Sequence, residues 1–305
     1  MHEIDFSCKH SVLIENEDGT RQPMDQPYHK AALAAPHTWQ VLSDGDFTYV
    51  VEGNEEALVI DSGYGAGNIR TFCQTLTDRP ITRIANTHDH FDHTANNAYF
   101  DCAYMSAATY GRRTLPFPSF SGICFPRDYP VEIIDEGYVF HLGGRDLETY
   151  ALQNHAIGSL AFLDRKNRIL FSGDEIGMGT HYQCNYTVEH CAAYMKKIYD
   201  LRGAFDQLFA GGGIWGAEAV TRIYEALAYV LSHPSEGIPA AEPEPRPSVL
   251  PGDGAQVVYR RRMARPGDGP KRGPANPNLR ELAYQGCRVV YDCTKVWERT
   301  PAQQS

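Results

Sequence analysis

The sequence predicts an α+β protein in which two β-sheets pack face to face with helices on the outside. Three observations predict this. The first third is a run of short segments rich in β-branched and aromatic residues, separated by tight turns. The stretch from 138 to 174 repeats that style. Each strand-rich half is followed by segments with helical spacing, at 67–76 and again at 187–202 and 216–233.

Taken in order, "TWQVLS" (38–43), "FTYVVEG" (47–53) and "EALVIDSG" (56–63) are strands, punctuated by "DGD" and "GNEE". "GNIRTFCQTL" (67–76) places Ile69, Phe72, Cys73 and Leu76 on one helical face. "ITRIANT" (81–87) is a strand that runs directly into "HDHFDH", and "TANNAYF" begins the next helical segment. "AYM" (103–105) is a short strand, and a helix follows around "AATYGRR". Residues 114–130 hold four prolines and several aromatics, and they read as a loop or lid. A meander follows: "YVFHLG" (138–143), "LETYALQN" (147–154), "SLAFLD" (159–164) and "RILFSGD" (168–174). "FDQLFAGGG" (205–213) is a strand ending in glycines, and "GAEAVTRIYEALAYVLSH" (216–233) is a helix.

Residues 234–278 change character. They are crowded with Pro and Gly and read as exposed loops or a semi-rigid excursion, interrupted by a strand at "AQVVYRRRM". "GCRVVYDCTKVWE" (286–298) is a strand that returns to the body. The expected organisation is a catalytic domain over 1–233 and a segment over 234–305 that packs on the same domain or on a partner subunit. The excursion would then wrap a neighbouring subunit, as in a homodimer, or cover the mouth of a site.

The bulk numbers exclude several classes. A formal charge of -10 and a pI near 5.6 repel phosphate backbones, so nucleic acid is not an expected partner. The basic run "YRRRM" (259–263) reads as a solvated edge. No apolar run reaches the roughly 18 residues of a membrane span. The first residues lack a basic stretch followed by an apolar run, which points to a cytoplasmic location and not to export. Eight cysteines are dispersed without a C-x-x-C pair, which fits reduced thiols.

The chemistry concentrates in "ANTHDHFDHTANN" (85–97). His88, Asp89, His90, Asp92 and His93 sit just beyond a strand end, where α/β folds place ligand sites. Burying such groups unpaired is costly. They are therefore either a solvated polar loop or the grip on a cation. His88 and His90 project the same way and can hold one cation, while Asp92 and His93 lie past a turn and can hold a second. Imidazole and carboxylate donors suit Zn²⁺, and also Fe and Mn.

"THDHFDH" resembles the signature of the metallo-β-lactamase superfamily, whose fold is an αββα sandwich of two packed mixed β-sheets flanked by helices. Three further stretches resemble that family in its order: "DSGYG" (61–65), "NHAIGSLAFLD" (154–164) and "ILFSGDEI" (169–176). The resemblance implies a metal site made of His88, His90, Asp92, His93, His155 and Asp174, holding one or two Zn ions, with Fe or Mn as alternatives. It places Asp174 between two metals. It makes Asp61 a brace of the loop through hydrogen bonds, and it leaves Asp89 facing solvent or accepting loop amides.

The implied reaction is hydrolysis of a small-molecule ester, lactone, thioester or amide by a metal-activated water or hydroxide. Asp92 and Asp174 are the catalytic candidates. Asp92 would orient the water or pass a proton to the leaving group, and Asp174 would share the water. Tyr64 and Tyr182 are candidate oxyanion donors or packing residues. One position departs from the family. A Pro-Gly-His-Gly-like turn usually closes the second site, and this chain reads "LFAGGGIWG", with Gly212 at the histidine position. His181 or His190 is a candidate substitute. Two other functions follow from that gap: a mononuclear iron oxidoreductase resembling persulfide dioxygenases, with iron on His88, His90, His155 and Asp174, or a pseudoenzyme that only binds.

Overall fold

The computed structural model describes residues 12–15, 19–24, 29–43, 46–115, 125–240, 249–250, 257–260 and 276–298. Among the described residues, two short strands come first, β1 (Val12–Glu15) and β2 (Arg21–Pro23). Seven strands then form the first main sheet in chain order. They are β3 (Lys30–Ala35), β4 (Thr38–Ser43), β5 (Asp46–Glu52), β6 (Ala57–Ile60), β7 (Ile81–Ala85), β8 (Cys102–Met105) and β9 (Val131–Ile133). From β3 to β6 the neighbours are antiparallel, and from β6 to β9 they are parallel. Parallel neighbours need crossovers, and α1 (Ile69–Gln74), α2 (Phe91–Thr94) and α3 (Ala107–Arg112) lie in them.

The second main sheet has six strands. They are β10 (Val139–His141), β11 (Asp146–Ala151), β12 (Leu160–Asp164), β13 (Ile169–Gly173), β15 (Gln207–Ala210) and β16 (Gly213–Gly216). Between β13 and β15 the chain makes β14 (His181–Gln183) and α4 (Val188–Asp200), and after β16 it makes α5 (Glu218–Ser232). The remaining strands are β17 (Ile238–Pro239), β18 (Val249–Leu250), β19 (Val257–Arg260), β20 (Leu279–Tyr284) and β21 (Cys287–Asp292). They form two smaller sheets, ordered β18-β19-β1-β2 and β14-β21-β20-β17.

Period-2 alternation splits the core into layers. Tyr49, Val51, Leu58 and Ile60 from the first sheet meet Leu160, Phe162, Ile169, Phe171 and Phe209 from the second. The intervening residues face the helices. Val50, Ala57 and Val59 pack with Ile69 and Cys73 of α1 on one side. Ala161, Leu163 and Leu170 pack with α4 and α5 on the other, where Leu282, Val289 and Tyr291 of β20 and β21 join the same core. The order is helix, sheet, sheet, helix, an αββα sandwich. At one end of the sandwich Arg145 clasps the sheets together. It donates to Asp164 Oδ2 (2.8 Å), Thr38 Oγ1 (2.6 Å) and the carbonyls of His37 (2.7 Å) and Glu52 (3.0 Å).

The strands expected from 38 to 63 and from 138 to 174 form within a residue or three of the expected bounds. Two expectations shift. The helix expected to begin at "TANNAYF" starts earlier, at Phe91, inside the histidine cluster, and lasts one turn. "GIWG" forms strand β16, which its glycines conceal, because pairing with β15 decides the conformation there. The aromatic loop expected over 114–130 lies partly outside the described residues. Of it, Thr114 and Leu115 form no strand or helix, nor do residues 125–130. Most of the Pro- and Gly-rich excursion is also outside them. Among the described residues, no helix is long and apolar enough to cross a membrane.

Candidate metal centre

The site forms at one edge of the sandwich, where β6, β7 and β13 all end. Asp61 follows β6 in the left-handed backbone region at φ 61°, a conformation that aspartate tolerates better than most residues. Its carboxylate accepts three hydrogen bonds. They come from Thr87 N (2.8 Å), Thr87 Oγ1 (2.7 Å) and His93 Nδ1 (2.9 Å). Asp61 therefore holds the loop after β7 in place and turns the His93 ring so that Nε2 faces the centre.

Three imidazoles converge on one point. His88, His90 and His155 offer nitrogen atoms within 4.8 Å of one another. His155 Nε2 lies 2.8 Å from His90 Nδ1 and 3.6 Å from Asp174 Oδ2. His93 Nε2 lies 3.6 Å from Asp174 Oδ2 and 3.9 Å from Asp92 Oδ2. All six residues singled out from the sequence, His88, His90, Asp92, His93, His155 and Asp174, thus fall into one cluster. His88 and His90 come from the loop before α2, Asp92 and His93 from its single turn, His155 from the β11–β12 loop and Asp174 from the end of β13.

The donor atoms fit a cation. Nε2 of His88, Nε2 of His93 and Oδ1 of Asp92 are buried without a hydrogen-bond partner. Native structures rarely leave buried polar atoms in that condition, and an ion is one of the standard reasons. The electrostatics agree. Burial and the neighbouring imidazoles hold His88 well below the usual histidine range. Burial and His155 lower His90 to about 4. Both rings are therefore neutral and ready to donate a lone pair. Burial pulls His93 the same way but is outweighed by Asp61, Asp174 and Asp92, which raise it. Burial pushes Asp174 upward, yet His93, His155 and His90 hold it below the usual carboxylate range.

Some residues sit differently from the expectation. Asp89 does not face solvent and is not confined to loop amides. It is buried and pairs with Arg112 Nε of α3 at 2.9 Å. His181 is not turned into the cluster, because its Nδ1 accepts from Arg288 Nε (2.9 Å) across the β14–β21 pair. His190 lies 3.0 Å from the Gln153 carbonyl oxygen through Nε2. Tyr182 is a packing residue in the core beneath α4 and α5, with its hydroxyl buried there. Tyr64 is buried as well.

Two residues of the site escape a reading of the sequence. Glu175, beside Asp174, accepts the backbone N–H groups of Asn154 (3.0 Å), His155 (2.8 Å) and Ala156 (3.2 Å) on Oε1, and so shapes the loop that presents His155. Burial pushes its carboxyl up to about 7. Asp46, the first residue of β5, joins Asp92, His93 and Asp174 with donor atoms within 4.8 Å of one another. Burial, then Asp92 and Asp174, raise its carboxyl well above the usual range. A topological signal for Asp46 exists. β5 is antiparallel to β6, so β5 must begin at the edge where β6 delivers Asp61.

The metallo-beta-lactamase superfamily model matches residues 45–213, more than half of the chain. The chain belongs to the metallo-beta-lactamase superfamily. Solved structures of metallo-beta-lactamase proteins share its fold at low identity. One from Pontibacter korlensis is 15% identical with a TM-score of 0.51, covering 66% of this chain and 99% of its own. A beta-lactamase domain protein from Burkholderia ambifaria is 15% identical with a TM-score of 0.51, covering 67% and 76%. Two curated relatives carry the name acyl-coenzyme A thioesterase MBLAC2. The Gallus gallus protein is 26% identical over 57% of this chain and 75% of its own length. The Homo sapiens protein is 28% identical over 43% of this chain and 58% of its own. The superfamily match ends at Gly213, so α5 and the strands after it lie beyond the matched region.

Proposed function

We propose that this superfamily member is a metal-dependent hydrolase of a small acyl substrate, with a thioester as the leading class. The observation that carries the reading is the convergence of His88, His90 and His155 beside Asp92, His93 and Asp174, with buried donor atoms that have no protein partner. The names of the relatives support the thioester class, and esters, lactones and amides share the same acyl chemistry.

His88, His90 and His155 would hold one divalent cation, and Asp92, His93 and Asp174 would hold a second or share the first. Such a cation supplies a Lewis acid for the carbonyl oxygen and lowers the pKa of a water molecule. The protein's own groups do the rest. Asp174, kept ionised by the surrounding imidazoles, accepts a hydrogen bond from the attacking water on a carboxylate oxygen. The Asp92 carboxylate takes up the proton and returns it to the leaving sulfur, oxygen or nitrogen, a transfer worth typically 10²–10⁴-fold. Ile157, two residues beyond His155 and 56% exposed, is the candidate apolar contact for an acyl chain.

The test is hydrolysis of acyl-coenzyme A thioesters, beside matched esters, lactones and amides, by protein stripped with chelator and then refilled with Zn²⁺, Mn²⁺ or Fe²⁺. Activity lost on stripping and recovered on refilling is the expected result. Asp92→Asn should lower kcat by about 10²-fold or more. Absence of turnover on every acyl class by metal-filled protein would overturn the proposal. A single bound iron with oxygen consumption would move the chain to the oxidoreductase reading.

A further inference from the structure

We propose that Asp46 is the residue that closes the second metal position, in the role that a histidine after β15 usually plays in this superfamily. The inference rests on the metal-dependent reading above. It concerns one residue inside the matched region but outside the four motifs that carry the resemblance in the sequence.

The position at which the histidine is expected has no space for one. A Cβ at Gly212 would lie 2.5 Å from the Gly177 carbonyl oxygen. That oxygen is itself held by Trp215 Nε1 at 3.2 Å. A Cβ at Gly211 would lie 2.1 Å from Asp174 Oδ1 and 3.2 Å from His93 Cε1. The glycines let the β15–β16 turn press against the site, and no side chain can enter from there.

The same turn is stitched to the start of β5. Phe47 N donates to the Gly211 carbonyl (3.0 Å), and Tyr49 Oη donates to the Ala210 carbonyl (2.6 Å). These bonds bring Asp46 beside the emptied side of the centre, with its carboxylate among Asp92, His93 and Asp174. Three carboxylates brought that close repel one another unless a cation or a shared proton lies between them, and a cation bound there would displace that proton. The second, independent observation is that His93 Nε2 faces this group, 3.6 Å from Asp174 Oδ2 and 3.9 Å from Asp92 Oδ2, while fully buried and without a hydrogen-bond partner.

The donor sets of the two positions then differ in kind. His88, His90 and His155 offer three imidazoles, which suit Zn²⁺. Asp46, Asp92 and Asp174 with His93 offer three carboxylates and one imidazole, a harder set that shifts preference toward Mn²⁺. The chain would hold a softer ion in the first position and a harder one in the second.

The experiment is metal titration of stripped full-length protein with Zn²⁺ alone and with Mn²⁺ alone. Calorimetry and atoms counted per chain give the stoichiometry, and Mn²⁺ electron paramagnetic resonance reports the second position. Wild type should bind two equivalents. Asp46→Ala should retain the first and lose the second, and Asp46→Asn, which keeps the shape, should weaken the second by about tenfold or more. His155→Ala should weaken the first position instead. Two equivalents bound by both Asp46 variants with wild-type affinity would overturn the role of Asp46 and leave the hydrolase reading intact. A wild type that binds one equivalent would overturn the second position. A wild type that binds none would overturn the metal reading as a whole. Thermal melts of each variant separate loss of a ligand from loss of fold.

Discussion

Asp61 is the point at which stability and metal affinity can be separated. Its carboxylate accepts three hydrogen bonds, from Thr87 N, Thr87 Oγ1 and His93 Nδ1, at 2.7–2.9 Å, and the residue is 3% exposed. Hydrogen bonds to a charged group contribute about 1.5–3 kcal/mol each, and buried donors left unpaired cost about 1–3 kcal/mol. Asp61→Ala removes the acceptor and strands Thr87 N–H and His93 Nδ1–H. The loss should be about 3–5 kcal/mol, within the range for breaking a buried polar network. A chain of this size should then lose about 2–4 °C of melting temperature per kcal/mol.

Asp61→Asn behaves differently. Its amide oxygen can still accept from Thr87 N, but its NH₂ group faces the ring of His93. The hydrogen on His93 must then move from Nδ1 to Nε2, and the lone pair aimed at Asp174 and Asp92 is lost. The variant should melt within a few degrees of wild type yet bind the second metal about 10–100-fold more weakly. Differential scanning calorimetry and metal titration on the same samples give both numbers. Wild-type metal affinity in Asp61→Asn, or an Asp61→Ala protein within about 1 kcal/mol of wild type, would refute this account.

Other perturbations have equally definite outcomes. Glu175→Ala frees three backbone N–H groups and should cost about 2–4 kcal/mol while weakening the first metal position, whereas Glu175→Gln keeps an acceptor and should lose less than half of that in a thermal melt. Arg145→Ala leaves Asp164 buried between the sheets without its cationic partner and should cost about 3–5 kcal/mol with metal stoichiometry unchanged. Gly211→Ala drives a methyl group into Asp174 and should abolish the second metal equivalent in atom counting. The last prediction is a pH effect. His93 and Asp46 are raised, so their protons compete with a cation as pH falls, while His88 and His90 are lowered and carry no competing proton near neutrality. Affinity of the second position should therefore fall on going from pH 8 to pH 6 more steeply than that of the first, and calorimetry in buffers of different ionisation enthalpy should show proton release.

Much of this was legible from residues alone, for reasons that can be stated. The strands at 38–63 and 138–174 alternate apolar side chains between two buried faces, so pattern and burial agree. The ligand candidates lie in dense local motifs at strand ends, and sequence proximity stands in for spatial proximity. Asp46 was not legible because it is 42 residues from the nearest of those motifs' histidines and reaches them only through sheet pairing. Glu175 was hidden for another reason: its work is done on backbone N–H groups, which carry no residue signature. Asp89 was misjudged because its partner, Arg112, comes from a separate helix.

The close approach of Gly212 to the Gly177 carbonyl bears on how such a centre can change over generations. A lineage that acquired a histidine there would first have to withdraw that carbonyl from Trp215, and it would meet Asp46 already in place. A histidine there and a retreat of the Gly177 carbonyl are changes at touching positions, and such changes couple and do not add. The glycine turn therefore sets a threshold: a histidine rim on that side is closed to single substitutions.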